Sequence, residues 1–187
     1  MIKSVKSKLE EILNMDVNNG KQKLTEKELS VFEGKYGLSL PDDYKAFLTS
    51  FYSCYVREGY YYPMKERSYL TPENGMEVID YFYNTEFISD VDNFISLWGN
   101  SVLPIGRAAG DYICMGVQEK NYGKIYHLYH EALNENETIC LIADSFDEFI
   151  LSFKKINDSS KYDSKKIKLK LSPELLESLK KLNKNDN

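Results

Sequence analysis

The side chains best equipped for chemistry are few. The two histidines, His127 and His130, lie in the run HLYHE, which is similar in letters to zinc-protease motifs. Those motifs place both imidazoles on one helix face, at i and i+4, beside a catalytic glutamate. Here the flanking residues alternate as a strand, so His127 and His130 are expected on opposite faces and no metal site is expected. A second arrangement depends on hairpin register. If Val117 faces Lys124, then Cys114 stands opposite His127, and Asp111 opposite His130. A cysteine beside a histidine can yield a thiolate nucleophile. Yet Cys114 sits between Ile113 and Met115 in a neighbourhood that is not basic, so the thiol reads as a small buried hydrophobe. Asp111 with His130 reads as a structural cross-strand pair.

The stretch LPIGRAAGDYICMGV sets Gly106 and Gly110 around a loop, with Asp111 directly after them. A phosphate cradle needs backbone N–H groups aimed at the anion, with a helix behind them and often a lysine. The segment after Gly110 reads as a strand, and the Asp111 charge repels phosphate. No Gly-x-Ser-x-Gly, Walker loop or dinucleotide fingerprint is present. Asp42 with Asp43, and Asp90 with Asp92, read as acids at helix starts. No catalytic residue, cofactor or small-molecule substrate is assigned, and the chain is not expected to be an enzyme.

The elements that position these residues are set by periodicity. Ile2, Val5, Leu9, Ile12 and Leu13 form one stripe of an opening amphipathic helix, residues 2–13, that must dock on something. In LTEKELSVFEGKYG, Thr25 and Glu28 have capping-box spacing, and Gly37 stands where a left-handed cap is wanted. SLPDDYKAFLTSF opens a second helix with Pro41 in its first turn, and SDVDNFISLWG a third. Between them, YSCYVREGYYYP and SYLTPENGMEVIDYF read as short strands. A meander of 111–117, 124–129 and 138–143 precedes a closing helix, DSFDEFILSF, with Ser145 and Glu148 at capping-box spacing. Helices, then strands, then a helix predict an α+β domain with an antiparallel β-sheet and flanking helices. The lysine-rich stretch 154–171 reads as a linker to a short helix bearing Leu175, Leu176, Leu179 and Leu182.

The chain has 187 residues, which suits one domain with appendages. Cys54, Cys114 and Cys140 are widely spaced, without Cys-x-x-Cys, so neither a zinc site nor a disulfide framework is suggested and a reducing cytosol fits. The amino terminus reads as neither signal peptide nor membrane span. Residues 154–187 hold ten lysines against five acids, +5, so residues 1–153 carry −10 of the net −5. An acidic body disfavours nucleic acid and membranes as direct partners and favours a basic protein. Fifteen tyrosines, five of them within 52–62, suit a sheet first and protein recognition second.

In this order, LTEKELSVFEGKYGLSLPDDYKAFL, FISLWGN, LPIGRAAGD running into YICMGV, GKIYHLYHE and IADSFDEFILSF resemble the SUKH superfamily. That group includes the fungal cell-wall assembly regulator domain and many bacterial immunity proteins. Leu40, Pro41 and Tyr44, with Gly110 and Asp111, are the most recognisable marks, and the likeness spans residues 24–153. It implies a single SUKH-like domain, leaving 1–23 as a helical extension and 154–187 as basic linker and helix. It implies that Gly106 to Gly110 form a turn between strands, anchored by Asp111 through local hydrogen bonds. Functionally it implies binding: a cytosolic antitoxin that neutralises a cognate protein toxin, often a nuclease. A regulatory protein-binding scaffold is the alternative. The acids near the tyrosine-rich strands, Glu58, Glu66, Glu73 and Glu77, are the expected toxin contacts, with Tyr60 and Tyr62 as aromatic anchors.

Overall fold

A computed structural model describes residues 1–15, 23–52, 54–133 and 138–156, and in it two helices begin where the expected side-chain caps stand, at Thr25 and Ser145. Helix α1 (Lys3–Ile12) buries Val5, Leu9 and Ile12 completely. Helix α2 (Glu26–Tyr36) has the full capping box: the Thr25 hydroxyl accepts the Glu28 N–H, and the Glu28 carboxylate accepts the Thr25 N–H at 2.8 Å. Gly37, at φ +64°, closes it in the left-handed conformation. Helix α3 (Asp42–Ser50) takes Pro41 at its cap position and buries Tyr44, Phe47 and Leu48. Helix α4 (Thr85–Trp98) starts earlier than the apolar spacing indicates. Helix α5 (Phe146–Ser152) is capped by Ser145, but the Glu148 carboxylate accepts from Asp144 N–H rather than Ser145 N–H, so the box is half formed.

Among the described residues, ten short strands occupy the tyrosine-rich and meander segments and their flanks: β1 (Leu13–Asn14), β2 (Cys54–Val56), β3 (Tyr60–Pro63), β4 (Met76–Glu77), β5 (Tyr81–Phe82), β6 (Val102–Ala108), β7 (Asp111–Gly116), β8 (Ile125–Leu128), β9 (Ile139–Ala143) and β10 (Lys154–Lys155). Seven form one sheet in the order β1-β2-β5-β6-β7-β8-β9, and three form a second, β10-β3-β4, with antiparallel pairing in both. The fold is therefore α+β with antiparallel sheets. One face of the large sheet supplies Leu13, Phe82, Leu103, Ile113, Met115 and Ile125 to a core shared with α1, α2, α3 and α5. On the other face Phe94 of α4 packs with Val102, Cys114 and Leu128, with Trp98 partly buried beside them.

The amino-terminal helix packs against α5, and Leu13 pairs with Val56, so the first fourteen residues belong to the same folded unit, Met1–Ile156. At the far end β10 carries the chain past Phe153, pairing Lys154 with Tyr61 and Lys155 with Tyr60. The leucine helix read at 175–182 lies outside the described residues.

Three expectations about the β6–β7 hairpin are corrected. Its turn is only Ala109 and Gly110, at φ +48° and +98°, the two-residue form that matches strand twist. Gly106 lies inside β6, next to a bulge, where an added Cβ would stand 2.7 Å from the Tyr81 carbonyl oxygen. That close approach, not a turn, is why glycine stands there. The turn is anchored by Asp80, whose carboxylate accepts the Ala109 N–H at 2.7 Å, and not by Asp111.

The exposed edge of β9 is blocked. Leu141 O accepts the N–H groups of Lys65 and Glu66, and Leu141 N–H donates to the Glu66 carboxylate at 2.9 Å. Glu66 thus stands in for a neighbouring strand on an edge that could otherwise pair with another chain. Glu66→Ala is expected to cost about 1 kcal/mol in urea unfolding and to raise self-association in light scattering at high concentration. Unchanged association would assign the blocking to the two backbone donors alone.

Candidate partner-binding site

The residues expected to form the contact surface do not converge. Burial alternates along β3, and the even positions face inward: Tyr62 is fully buried, edge-on to Phe149 with ring centroids 5.1 Å apart. Tyr60 is 7% exposed, with the Lys8 and Lys155 ammoniums 5.6 and 5.8 Å from its ring centroid. Neither tyrosine can anchor a partner on the surface. A period of two marks the strand, but it cannot say which face is inside. Glu66 blocks the β9 edge. Glu77 is half-buried and accepts the Tyr129 hydroxyl at 3.0 Å. Burial raises its pKa, against the opposing influence of His127 and of the Tyr129 hydrogen bond. Glu58 and Glu73 remain as solvent-facing acids.

The register on which a Cys114–His127 pair depended does not form, and Cys114 is the buried small hydrophobe that its neighbours indicated. The register is one residue away from the expected one: Ile113 pairs with His127 and Cys114 with Tyr126. A slip of one puts the thiol and the imidazole on opposite faces of the sheet. Cys114 is fully buried, and burial pushes its thiol well above the ordinary range, the reverse of an activated nucleophile.

The two histidines, expected on opposite faces, instead meet on Asp111. Strand β8 ends at Leu128, and the chain then turns, which frees His130 from strand alternation. Asp111 Oδ1 accepts both the backbone N–H of His130, at 2.9 Å, and its ring Nδ1, at 2.5 Å. Asp111 Oδ2 lies 3.1 Å from His127 Nε2, and His127 Nδ1 lies 2.8 Å from the Tyr62 hydroxyl. An ionised Asp111 can only accept, so His127 Nε2 carries the proton. With the proton on Nε2, the Nδ1 lone pair accepts the hydrogen bond that the Tyr62 hydroxyl donates, which completes an unbroken chain from Tyr62 to Asp111. His127 also stacks on Tyr129, centroids 4.1 Å apart. Among the described residues no group of three or more His, Cys, Asp or Glu side chains is placed to hold a metal ion.

A different surface emerges from the sheet register. Tyr55 pairs with Tyr81, Tyr81 with Arg107, and Arg107 with Tyr112, a single row across β2, β5, β6 and β7. It lies on the α4 face, where Tyr112 also meets Phe94 edge-on at 5.1 Å. Tyr55 and Tyr81 rings are 5.4 Å apart, and the Arg107 guanidinium sits 4.0 Å over the Tyr112 ring. Tyr55 is 47% exposed, while the other three are partly exposed. The spacing Tyr55, Tyr81, Arg107 carries no local signal. Only the pairing of β2 with the two-residue β5 brings these residues together.

Fold and surface together define an α+β protein built around short antiparallel strands and capped helices. The chain belongs to the SMI1 / KNR4 family (SUKH-1), which it matches over residues 23–152. It is also 26% identical over 144 residues to the SPbeta prophage-derived uncharacterized protein YokK of Bacillus subtilis (strain 168), covering 68% of this chain and 73% of that relative.

Burial pushes the Asp111 carboxyl up, but the His127 and His130 hydrogen bonds outweigh it and leave the group below its ordinary range. A depressed carboxylate contributes stability that is present above its unfolded value, about 3.9, and lost as pH falls through the folded one. Asp111→Asn is expected to cost about 1.5–3 kcal/mol at pH 7 and to flatten the loss of stability below pH ~4. Urea melts of both chains from pH 7 to 3 measure it. Parallel acid limbs would show that other carboxylates dominate.

Proposed function

We propose that this protein is an immunity protein, which binds a cognate protein toxin in the cytosol and blocks it without catalysing a reaction of its own. Membership of the SUKH-1 family across residues 23–152 carries the reading, since that family fits toxin immunity. The −10 charge of residues 1–153 suits a basic partner such as a nuclease, which needs positive surface to approach phosphates. No helix among the described residues is long and apolar enough to cross a membrane. A regulatory scaffold for a host protein is the second reading, favoured by the +5 of residues 154–187, which lies outside the family match.

Glu58, Glu66 and Glu73 are the exposed members of the expected acid set; with Glu66 engaged at the β9 edge, the role of Glu58 and Glu73 is to steer encounter rather than to anchor the complex. The test reads the adjacent genes for a long secreted protein with a variable C-terminal domain and uses that domain as the toxin. Nanomolar or tighter binding is expected, about −12 kcal/mol, with an association rate that falls as salt rises. Glu58→Lys/Glu73→Lys is expected to slow association about tenfold at low salt and to change the dissociation rate little. No binding of wild type to that toxin would sink the immunity assignment. An unchanged rate and salt slope in the double variant would move the steering acids elsewhere.

A further inference from the structure

The row Tyr55–Tyr81–Arg107–Tyr112 is unusual in both composition and setting. Tyrosine and arginine are the residue types most enriched where alanine substitution costs a protein complex most. Tyrosine brings large area with little side-chain freedom to lose. Here the rings support one another, Tyr55 on Tyr81 at 5.4 Å and Tyr81 on Tyr83 at 5.5 Å, so the platform is pre-formed. Its cation stands out more. Arg107 stacks on Tyr112 and forms no ion pair with any described carboxylate. Stacking occupies the face of a guanidinium and leaves the N–H groups along its edge, which match a carboxylate two at a time.

We propose that this row is the surface that receives the protein partner, with Arg107 taking a carboxylate of that partner and the tyrosines covering the apolar surface around it. Covering Arg107 without supplying an acceptor would leave a desolvated charge unpaired, which costs more than the contact gains. The charge of the body adds specificity. Residues 1–153 carry −10, so their summed field disfavours a partner carboxylate, and seating it at Arg107 selects one docking register. A row of aromatic rings with an arginine also suits stacked bases. The same negative field repels a phosphate backbone, and the protein partner is therefore favoured. The identity of that partner as the toxin rests on the immunity reading, while the surface itself does not.

Two measurements on the full chain separate these claims. In the first, wild type, Arg107→Glu, Arg107→Gln and Tyr55→Ala are titrated with the toxin domain of the neighbouring gene, and each variant is melted to confirm that it folds. Arg107→Glu is expected to weaken binding about 100-fold and Tyr55→Ala about tenfold, with melting points within about 3 °C of wild type. Wild-type binding that survives both substitutions within about threefold overturns the surface. If wild type does not bind that toxin, the immunity reading fails and the second measurement decides. Random peptides displayed against the wild-type chain are counter-selected on Arg107→Glu. Enrichment of carboxylate-bearing peptides that lose binding on Arg107→Glu supports the surface. No enrichment, peptides indifferent to the substitution, or Arg107-dependent binding of a single-stranded oligonucleotide overturns it.

Discussion

The hydrogen-bond chain from Tyr62 through His127 to Asp111 joins the two sheets of this protein, and much of the structure is arranged to keep it complete. Tyr62 lies on β3 of the three-stranded sheet, His127 on β8 and Asp111 on β7 of the large one. All three polar ends are withdrawn from water to different degrees, so losing one partner exposes another to the full cost of desolvation, about 1–3 kcal/mol. The chain cannot slide by a residue without breaking at both ends. That fixes β3 over the end of β8 and turns Tyr62 toward Phe149 and Phe153. It also sets Tyr60 inward by alternation, and it presents the outer edge of β3 to Lys154 and Lys155.

Local chemistry was legible in the sequence wherever one residue pair decides an outcome. Thr25 with Glu28, Gly37 and Ser145 fixed their helix ends, because each satisfies backbone groups within one turn. Register was not legible, since it depends on how a loop closes. Between β7 and β8, residues Glu119–Asn121 form a 3₁₀ turn, and Gly116 N–H bonds Lys124 O, so Gly116 rather than Val117 faces Lys124. That one-residue difference moved Cys114 away from His127 and brought Asp111 within reach of it. The same limit governed the site. Tyr60 and Tyr62 are strand residues, as tyrosine density suggested, but which face is buried follows from α5 packing on β3, a contact between distant segments.

Several acids that look like surface charge turn out to hold the framework. Glu66 completes the edge of β9, Glu77 takes a tyrosine hydroxyl, Asp80 holds the hairpin turn, and Asp111 gathers two histidines. Their internal hydrogen bonds do not cancel their fields. A carboxylate accepting from neutral donors keeps its charge, and the summed potential steers an approaching cation whether or not each group can also touch it. The acidity of the body and the identity of its contact residues are therefore separate questions, answered by different parts of the surface.

The large sheet divides its work by face. The inner face is filled by four helices, while on the outer one, among the described residues, α4 alone packs with the β6–β9 half. A two-residue β5 between β2 and β6 has too little length to carry a helix-binding patch, yet it suffices to align Tyr55, Tyr81 and Arg107 into a row. Lysine at 107 could not do what arginine does there, because an ammonium has no flat face to rest on Tyr112 while directing donors outward. The bulge beside Gly106 contributes as well. It lets the β6 backbone approach the Tyr81 carbonyl closely and sets Arg107 opposite Tyr112. A glycine that the sequence presented as a turn residue thus positions the cation of the outer face, which ties the exposed row to the packing beneath it.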